Sequence, residues 1–562
     1  MIQKLVKWTS KENITVTPKS EYTRWYSVAS SFLVQLSIGS VYAWSIFVNP
    51  LSREIGVVTA SAGDWTLMQI IPIFSICAAS LGVTTSLFGP WAERAGPRAA
   101  ALASGLLYSI GLFLSGVGTY YHSLALLYLG YGVFAGMGWG FGYISPVSTL
   151  MKWFPDRRGL ATGLALTAFG GGAMIAAPLY EFLFNYFFVA PTYLGDVSLV
   201  TQEGIRYAMV GDHLSEVVVA SANDVASFSG LDLQEGAYLA GTGNTGTAKT
   251  FFALSAFYFT TIVSGSALQC IPVEGWQPPH QKLTTSNMAA SKQSVHYNEA
   301  LKTPQFYLIW LTIFGNGLAG VTIISSAKTM MTEIFGPIFP ALVYGGLSAT
   351  FVASLSFGNM MGRLGWSYLS DFTGRKNAYY IFGSGLVVTM GFPVLFEMVA
   401  HNPSVYVLIP FSLGSMLLMS FYGGNFSVLP AFLADVFGPK NPGAIHGRML
   451  TAWSAAALVG PFTLSYLRNE SYKEAVTKLA HLCDPEKFEM TFGAPLSELQ
   501  RLLEAKTVTI IKLMEIAPPG TINPTPTLYN STLHVASLIL MLALISCTFI
   551  KPVHPKHYLK ED

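Results

Sequence analysis

Twelve runs of mostly apolar residues, each long enough to cross a bilayer, constrain this chain more than any other feature. They lie near 24–48, 65–89, 98–120, 122–150, 158–186 and 250–272. After a polar stretch they resume near 304–331, 341–365, 377–400, 403–431, 443–466 and 529–550. A spanning helix needs roughly 20 such residues, because in lipid every backbone polar group must be satisfied within the segment. Charged residues make up 11% of the 562, against roughly 25% in an ordinary soluble domain. Charge that sparse cannot solvate a soluble chain of this length, so lipid is the expected solvent for much of it. The fold class expected is an all-α membrane protein of twelve transmembrane helices in two six-helix, pseudo-symmetric halves.

Orientation follows from the bases between the runs, since Lys and Arg accumulate on the cytosolic side. With the tail 1–23 inside, the inner connections carry Arg94 and Arg98; Lys152, Arg157 and Arg158; Lys282, Lys292 and Lys302; Arg363, Arg375 and Lys376; and Lys440 and Arg448. The outer segment 187–249 holds seven acids against two bases, Arg206 and Lys249. Both termini are therefore expected in the cytosol. No cleaved leader is expected in the polar, basic N-terminus. The plasma membrane is the default expectation ahead of an organelle.

A duplication shows in three places. "GPWAERAGPR" (Gly89–Arg98) and "GWSYLSDFTGRK" (Gly365–Lys376) each place an acid, a glycine and a base between apolar runs. "KWFPDRRGLATGL" (Lys152–Leu164) answers "DVFGPKNPGAIHGRML" (Asp435–Leu450). Long outer segments follow the fifth and eleventh runs, at 187–249 and 467–528. The second reads as partly helical around "PLSELQRLLEAKTVTIIKLMEI", and sequons at Asn469 and Asn530 fall on the outer side. The expected division is a tail 1–23, a first half 24–272, a cytosolic linker 273–303, a second half 304–550 and a tail 551–562. Six plus six spans with matching loops is the pattern of parallel-repeat transporters.

At these loops the chain resembles the major facilitator superfamily, and more narrowly the oxalate/formate antiporter family. The carrying residues are "IGSVYAWSIF" (Ile38–Phe47), "KWFPDRRGLATGL", "GRLGWSYLSDFTGR" (Gly362–Arg375) and "LADVFGPKNPGAIHGRMLTAW" (Leu433–Trp453). The resemblance implies a secondary transporter that works by alternating access. Family members that carry oxalate hold the dianion between a buried arginine in helix 8 and a buried lysine in helix 11. The resemblance places those positions at Ser356 and Trp453, so both cations are replaced here. A dianion desolvated without cationic partners costs many kcal/mol, and a monocarboxylate such as formate, lactate or pyruvate becomes the expected cargo. A neutral or zwitterionic solute, and a transporter-like sensor without turnover, are the alternatives.

The family's aromatic positions map onto Tyr42, Tyr422, Phe426 and Trp453. Polar candidates on the same spans are Gln35, Asn316, Ser356, Asn359 and Asn425. Trp139 and Tyr143, four apart, share one helix face. Lys328, near the outer end of the seventh run, is either a surviving cation for the cargo or a snorkelling surface lysine. His122 and His401 are expected outside and His446 inside, so no histidine is expected at mid-membrane. In the charged loops, Asp371 is expected to meet Arg157 or Arg158. Glu93 is expected near the start of the eleventh run, by His446 and Arg448. Glu93, Arg98, Arg157, Arg158, Asp371, Arg375 and Arg448 form the expected gating set.

Other function classes find little support. No H-E-x-x-H, G-x-S-x-G or Walker motif stands in a fitting context, so an enzyme is not expected, nor a metal or cofactor. Cys77, Cys270, Cys483 and Cys547 are too scattered for a disulfide framework. The net charge of +2 points to no nucleic acid. The expected partners are a small-molecule substrate and the bilayer, with the chain as a monomer.

Overall fold

The computed structural model describes the chain except residues 1–8, 11–13, 17–22, 196, 203–204, 221–224, 226–227, 229–232, 274–275, 277–293, 337, 344–346, 493, 505–507, 509 and 560–562. Lys282 and Lys292 of the expected linker lie outside the described residues, as does the side chain of Lys328.

Among the described residues, ten helices are long and apolar enough to cross a membrane. An eleventh span arises if Arg24–Ala43 and Ser45–Leu51, which meet at a 45° bend, count as one. The remaining expected span, near 341–365, is the 26-residue helix Ser348–Thr373. At 1.5 Å per residue it measures about 39 Å, longer than a hydrocarbon core of roughly 30 Å. It falls short on apolar content because it carries Asn359, Arg363, Asp371 and several serines. The chain is a multi-pass integral membrane protein.

Two compact units form. The first comprises Met1–Leu283 together with Pro442–Thr451; the second comprises Thr284–Asn441 and Ala452–Asp562. The boundary differs from a simple halving of the sequence, because the start of the eleventh run belongs to the first unit.

Within the first unit, small residues decide how closely helices approach. A Cβ on Gly39 would stand 2.2 Å from the Phe169 carbonyl oxygen, and one on Gly172 would stand 2.5 Å from the Gly39 carbonyl carbon. The "AFGGGA" run is therefore a contact surface in which backbones touch, as small residues allow in membrane helices. The outer segment is not an irregular loop. It folds as a five-stranded antiparallel sheet in the order Tyr193–Gly195, Gly236–Leu239, His213–Ala220, Ile205–Val210, Leu199–Gln202. Gly211, at φ +64°, and Asp212 close the hairpin that pairs Val210 with His213, the two-residue turn that a twisted hairpin favours. Val218, Ala220 and Tyr238 bury a small core with Val58. The Gly241 amide donates to Ile55 O (3.0 Å) and the Ala62 amide to Glu216 Oε1 (3.0 Å), tying the sheet to the connection after the first span.

Glu54 lies in that connection, and its carboxylate accepts the Thr245 hydroxyl. Burial pushes the Glu54 carboxyl up to about 8, against the lowering effect of the Thr245 and Thr247 hydroxyls, and the charge of Asp64 adds to the rise. The folded chain therefore holds a proton here that the unfolded chain has released above about pH 4.5. The stability this proton supports is present below that value and is lost as pH rises to about 8. The melting temperature in detergent should fall across this window in the native chain. Glu54→Gln, which keeps an acceptor for Thr245, should flatten that part of the profile; an unchanged slope would count against the assignment.

In the second unit the outer segment is helical, as its sequence leads one to expect. Thr451–Leu482 continues well past the expected end of the eleventh span, and Pro485–Phe492, Leu499–Glu504 and Ile510–Ile516 follow. Its base is fastened where Arg468 meets both Glu333 oxygens, at 2.5 and 3.1 Å, and the Tyr529 hydroxyl donates to Glu333 at 2.7 Å. Glu333 sits in a five-residue π-helical stretch, Met331–Phe335, that ends the seventh span.

Candidate functional site

In each unit several of the candidate residues fall in one aromatic cluster. In the first, the chain bends between Arg24–Gly39 and Ser45–Leu51 through a short 3-10 turn, Ser40–Ala43, that carries Tyr42. The Tyr42 ring stands 5.2 Å from Phe169 and 6.1 Å from Trp139, both edge-on. Trp139 stacks on Phe169 at 6.0 Å and Tyr143 meets Phe169 edge-on at 5.3 Å. Gln35 is buried and donates to the Tyr143 carbonyl at 3.1 Å. Tyr42, Gln35, Trp139 and Tyr143 thus come together. Phe169, the ring they share, escaped the sequence reading; its signal was a lone aromatic inside a run of small residues.

The second cluster contains a charge. Arg363 is 0% exposed. It was expected in an inner loop, but it lies inside the Ser348–Thr373 helix, about 15 Å from that helix's end by its rise per residue. Its Nε donates to Asn359 Oδ1 at 3.1 Å, and its guanidinium carbon stands 5.8 Å from the centre of the Phe426 ring. Phe426 meets Tyr422 at 4.9 Å and Trp453 at 6.3 Å. The Trp453 indole N–H donates to the Tyr422 hydroxyl at 2.9 Å. An indole nitrogen can only donate, so the Tyr422 oxygen accepts and its own proton is directed elsewhere. Asn359, Tyr422, Phe426 and Trp453 are therefore one group, with Arg363 as its cation. A Cβ at Gly320 would stand 2.1 Å from the Tyr422 ring, so only glycine lets the Pro304–Met330 helix back the cluster this closely.

Other candidates spend their hydrogen bonds on backbone. Asn316 donates to Thr312 O (2.9 Å), Asn425 to Ile313 O (3.5 Å) and Ser356 to Val352 O (3.3 Å).

The charged loops form tight local networks. Arg375 pairs with Asp371, donates to the Ser370 hydroxyl at 2.6 Å and stands 3.5 Å from Asp435. Lys376 donates to the carbonyls of Thr548 and Ile550, at 3.0 and 2.9 Å, where the last span ends. A cation there complements the negative end of the helix dipole. In the first unit the Gly443 amide donates to Glu93 Oε1 at 3.1 Å, and Arg98, 9% exposed, reaches Cys270 Sγ at 3.7 Å.

A family model described as Major Facilitator Superfamily matches residues 28–199. A solved fucose:proton symporter of Escherichia coli superposes with a TM-score of 0.50 at 12% identity, covering 94% of this chain and 100% of that one. Over residues 28–199 the chain is similar to the major facilitator superfamily, and it shares that symporter's fold. It resembles the oxalate/formate antiporter family more narrowly. The oxalate:formate antiporter of Oxalobacter formigenes is 22% identical over 78% of this chain and 83% of that protein. Apicoplast pyruvate carrier 1 of Toxoplasma gondii is 23% identical over 83% of this chain and 88% of that protein. These two relatives are named as transporters.

Proposed function

We propose that this chain is a secondary active transporter of a small monocarboxylate, of the formate, lactate or pyruvate kind, working by alternating access. One observation carries the reading: Arg363, fully buried within a membrane helix and set against Asn359 and the aromatic cluster. A charge in that place is costly to hold and is a functional group by default. A guanidinium offers two parallel N–H donors that fit a carboxylate. The Tyr422 hydroxyl, which accepts the Trp453 indole N–H, is a neutral polar group of the same cluster. Among the described residues Arg363 is the cation of this cluster, which suits a monoanion; the second charge of oxalate would face the neutral groups Asn359, Tyr422 and Trp453. A carrier of pyruvate and one of oxalate and formate among the relatives agree with an organic-anion cargo. Tyr42, Gln35, Trp139 and Tyr143, clustered within the first unit, are further proposed substrate-binding residues. Glu93, Arg98, Arg157, Arg158, Asp371, Arg375 and Arg448 are the proposed gating set. Both termini are placed in the cytosol, and the plasma membrane is the proposed location.

Uptake of radiolabelled formate, lactate, pyruvate, oxalate and a neutral sugar into proteoliposomes tests the reading. Saturable uptake of a monocarboxylate, competed weakly by oxalate and not by the sugar, is the expected result. Oxalate as the preferred cargo, or sugar uptake alone, overturns it.

A further inference from the structure

The helix Pro442–Met449 packs within the first unit on the helices Leu67–Ala95 and Gly136–Trp153. Small residues let it seat closely. A Cβ on Gly447 would stand 2.3 Å from the Thr85 carbonyl oxygen, and one on Gly89 would stand 3.5 Å from the Ala444 Cα. That seat buries His446 to 1% exposure. Neither of its ring nitrogens has a hydrogen-bond partner among the described residues. Its ring lies 5.8 Å from that of Tyr143, which meets Phe169, so His446 ends the cluster that holds Tyr42 and Trp139. The sequence reading put this histidine at the inner surface; its burial beside Tyr143 is what the close seat of the helix brings about.

A buried polar group without a partner calls for an explanation beyond packing. A neutral imidazole keeps one nitrogen lone pair that can take a proton, and among side chains it is the one suited to do so near neutral pH. Once protonated it would be a buried charge, which is stable only with an anion beside it or with water admitted. The surrounding groups leave that role open. On Leu67–Ala95 the charged groups near this helix are Glu93, which accepts the Gly443 amide, and exposed Arg94. On Gly136–Trp153 they are Tyr143 and exposed Lys152, and on its own helix Arg448 follows two residues later.

We infer that His446 is the proton-binding residue of this carrier. Proton uptake by its imidazole loosens the seat of Pro442–Met449, and that loosening couples proton movement to movement of the cargo. The cargo in this statement rests on the monocarboxylate reading; the proton site does not.

Two measurements separate the parts. In proteoliposomes, wild type should accumulate pyruvate when the outside is acidified. His446→Gln, shown by its melting temperature to be folded, should lose that acid-driven accumulation. Equal accumulation by the variant overturns the inference. Without substrate, hydrogen–deuterium exchange over Pro442–Met449, corrected for the intrinsic pH dependence of exchange, is followed between about pH 7.5 and 5.5, where an ordinary imidazole titrates. Protection should drop on acidification in wild type and hold in H446Q; the same response in both overturns the proton site even if pyruvate is no cargo. A pH response confined to wild type, with no pyruvate uptake by either protein, supports the proton site and removes the cargo.

Discussion

Arg363→Gln should leave the carrier folded in the membrane and remove its carboxylate transport. The glutamine keeps length and one donor, and Asn359 can hydrogen-bond it, so burial is not left with an orphaned acceptor. What disappears is the charge. Truncating one partner of a buried, hydrogen-bonded charge pair costs about 2–5 kcal/mol, or roughly 30-fold to several-thousand-fold in affinity at 1.4 kcal/mol per tenfold. Arg363→Lys should recover little, because an ammonium lacks the planar fork that meets both carboxylate oxygens. The pattern across the pair is diagnostic. If Gln and Lys variants, shown by melting temperature to be folded, both carry pyruvate within a fewfold of wild type, Arg363 does not hold the cargo. If Lys alone restores transport, a point charge suffices and the bidentate geometry is unnecessary.

How this arginine came to be misplaced shows where the sequence was readable and where it was not. Apolar length alone located the spans, since lipid permits few other structures, and the repeat of acid, glycine and base named the architecture. The same reasoning treated every base near a span's end as a loop residue. Arg363 stands eight residues before Asp371, and a helix continuing to Thr373 makes that difference one of depth rather than topology. His446 failed for a related reason. Gly443, Ala444 and Gly447 around it were a signal for close packing, but which helices they meet is a matter of tertiary contact. The outer sheet was more legible than the reading allowed: "YAMVGDHLSEVVVA" contains a Gly-Asp turn between strand-forming runs. Polarity and length had marked it as a loop. The aromatic positions Tyr422, Phe426 and Trp453 do share one cluster, yet the hydrogen bond that orients Tyr422 depends on rotamers no sequence pattern shows.

The loop Gly365–Lys376 should matter most for stability. Asp371 lies in the last turn of Ser348–Thr373, and Arg375 opens the next helix, Arg375–Gly383. Gly374, at φ +89°, supplies the turn between their helices. Arg375 is buried with Asp371 on one side and Asp435 on the other. Removing the arginine alone takes a cation from beside two buried carboxylates, and breaking such a pair costs about 3–5 kcal/mol. Arg375→Met should therefore lower the melting temperature and the membrane yield sharply. The triple variant D371N/R375M/D435N removes all three of these charges together and should regain most of that loss, because a buried ionic group replaced as a whole is often near neutral. A triple variant as unstable as R375M would mean that the shape of the guanidinium, not its charge, holds the loop. Gating adds an effect that stability cannot supply: per folded molecule, the restored triple variant should transport more slowly than wild type. Full-rate transport would confine Asp371 and Arg375 to fastening helix ends within their own unit, and would move the search for the gate to Glu93 and the helix that begins at Pro442.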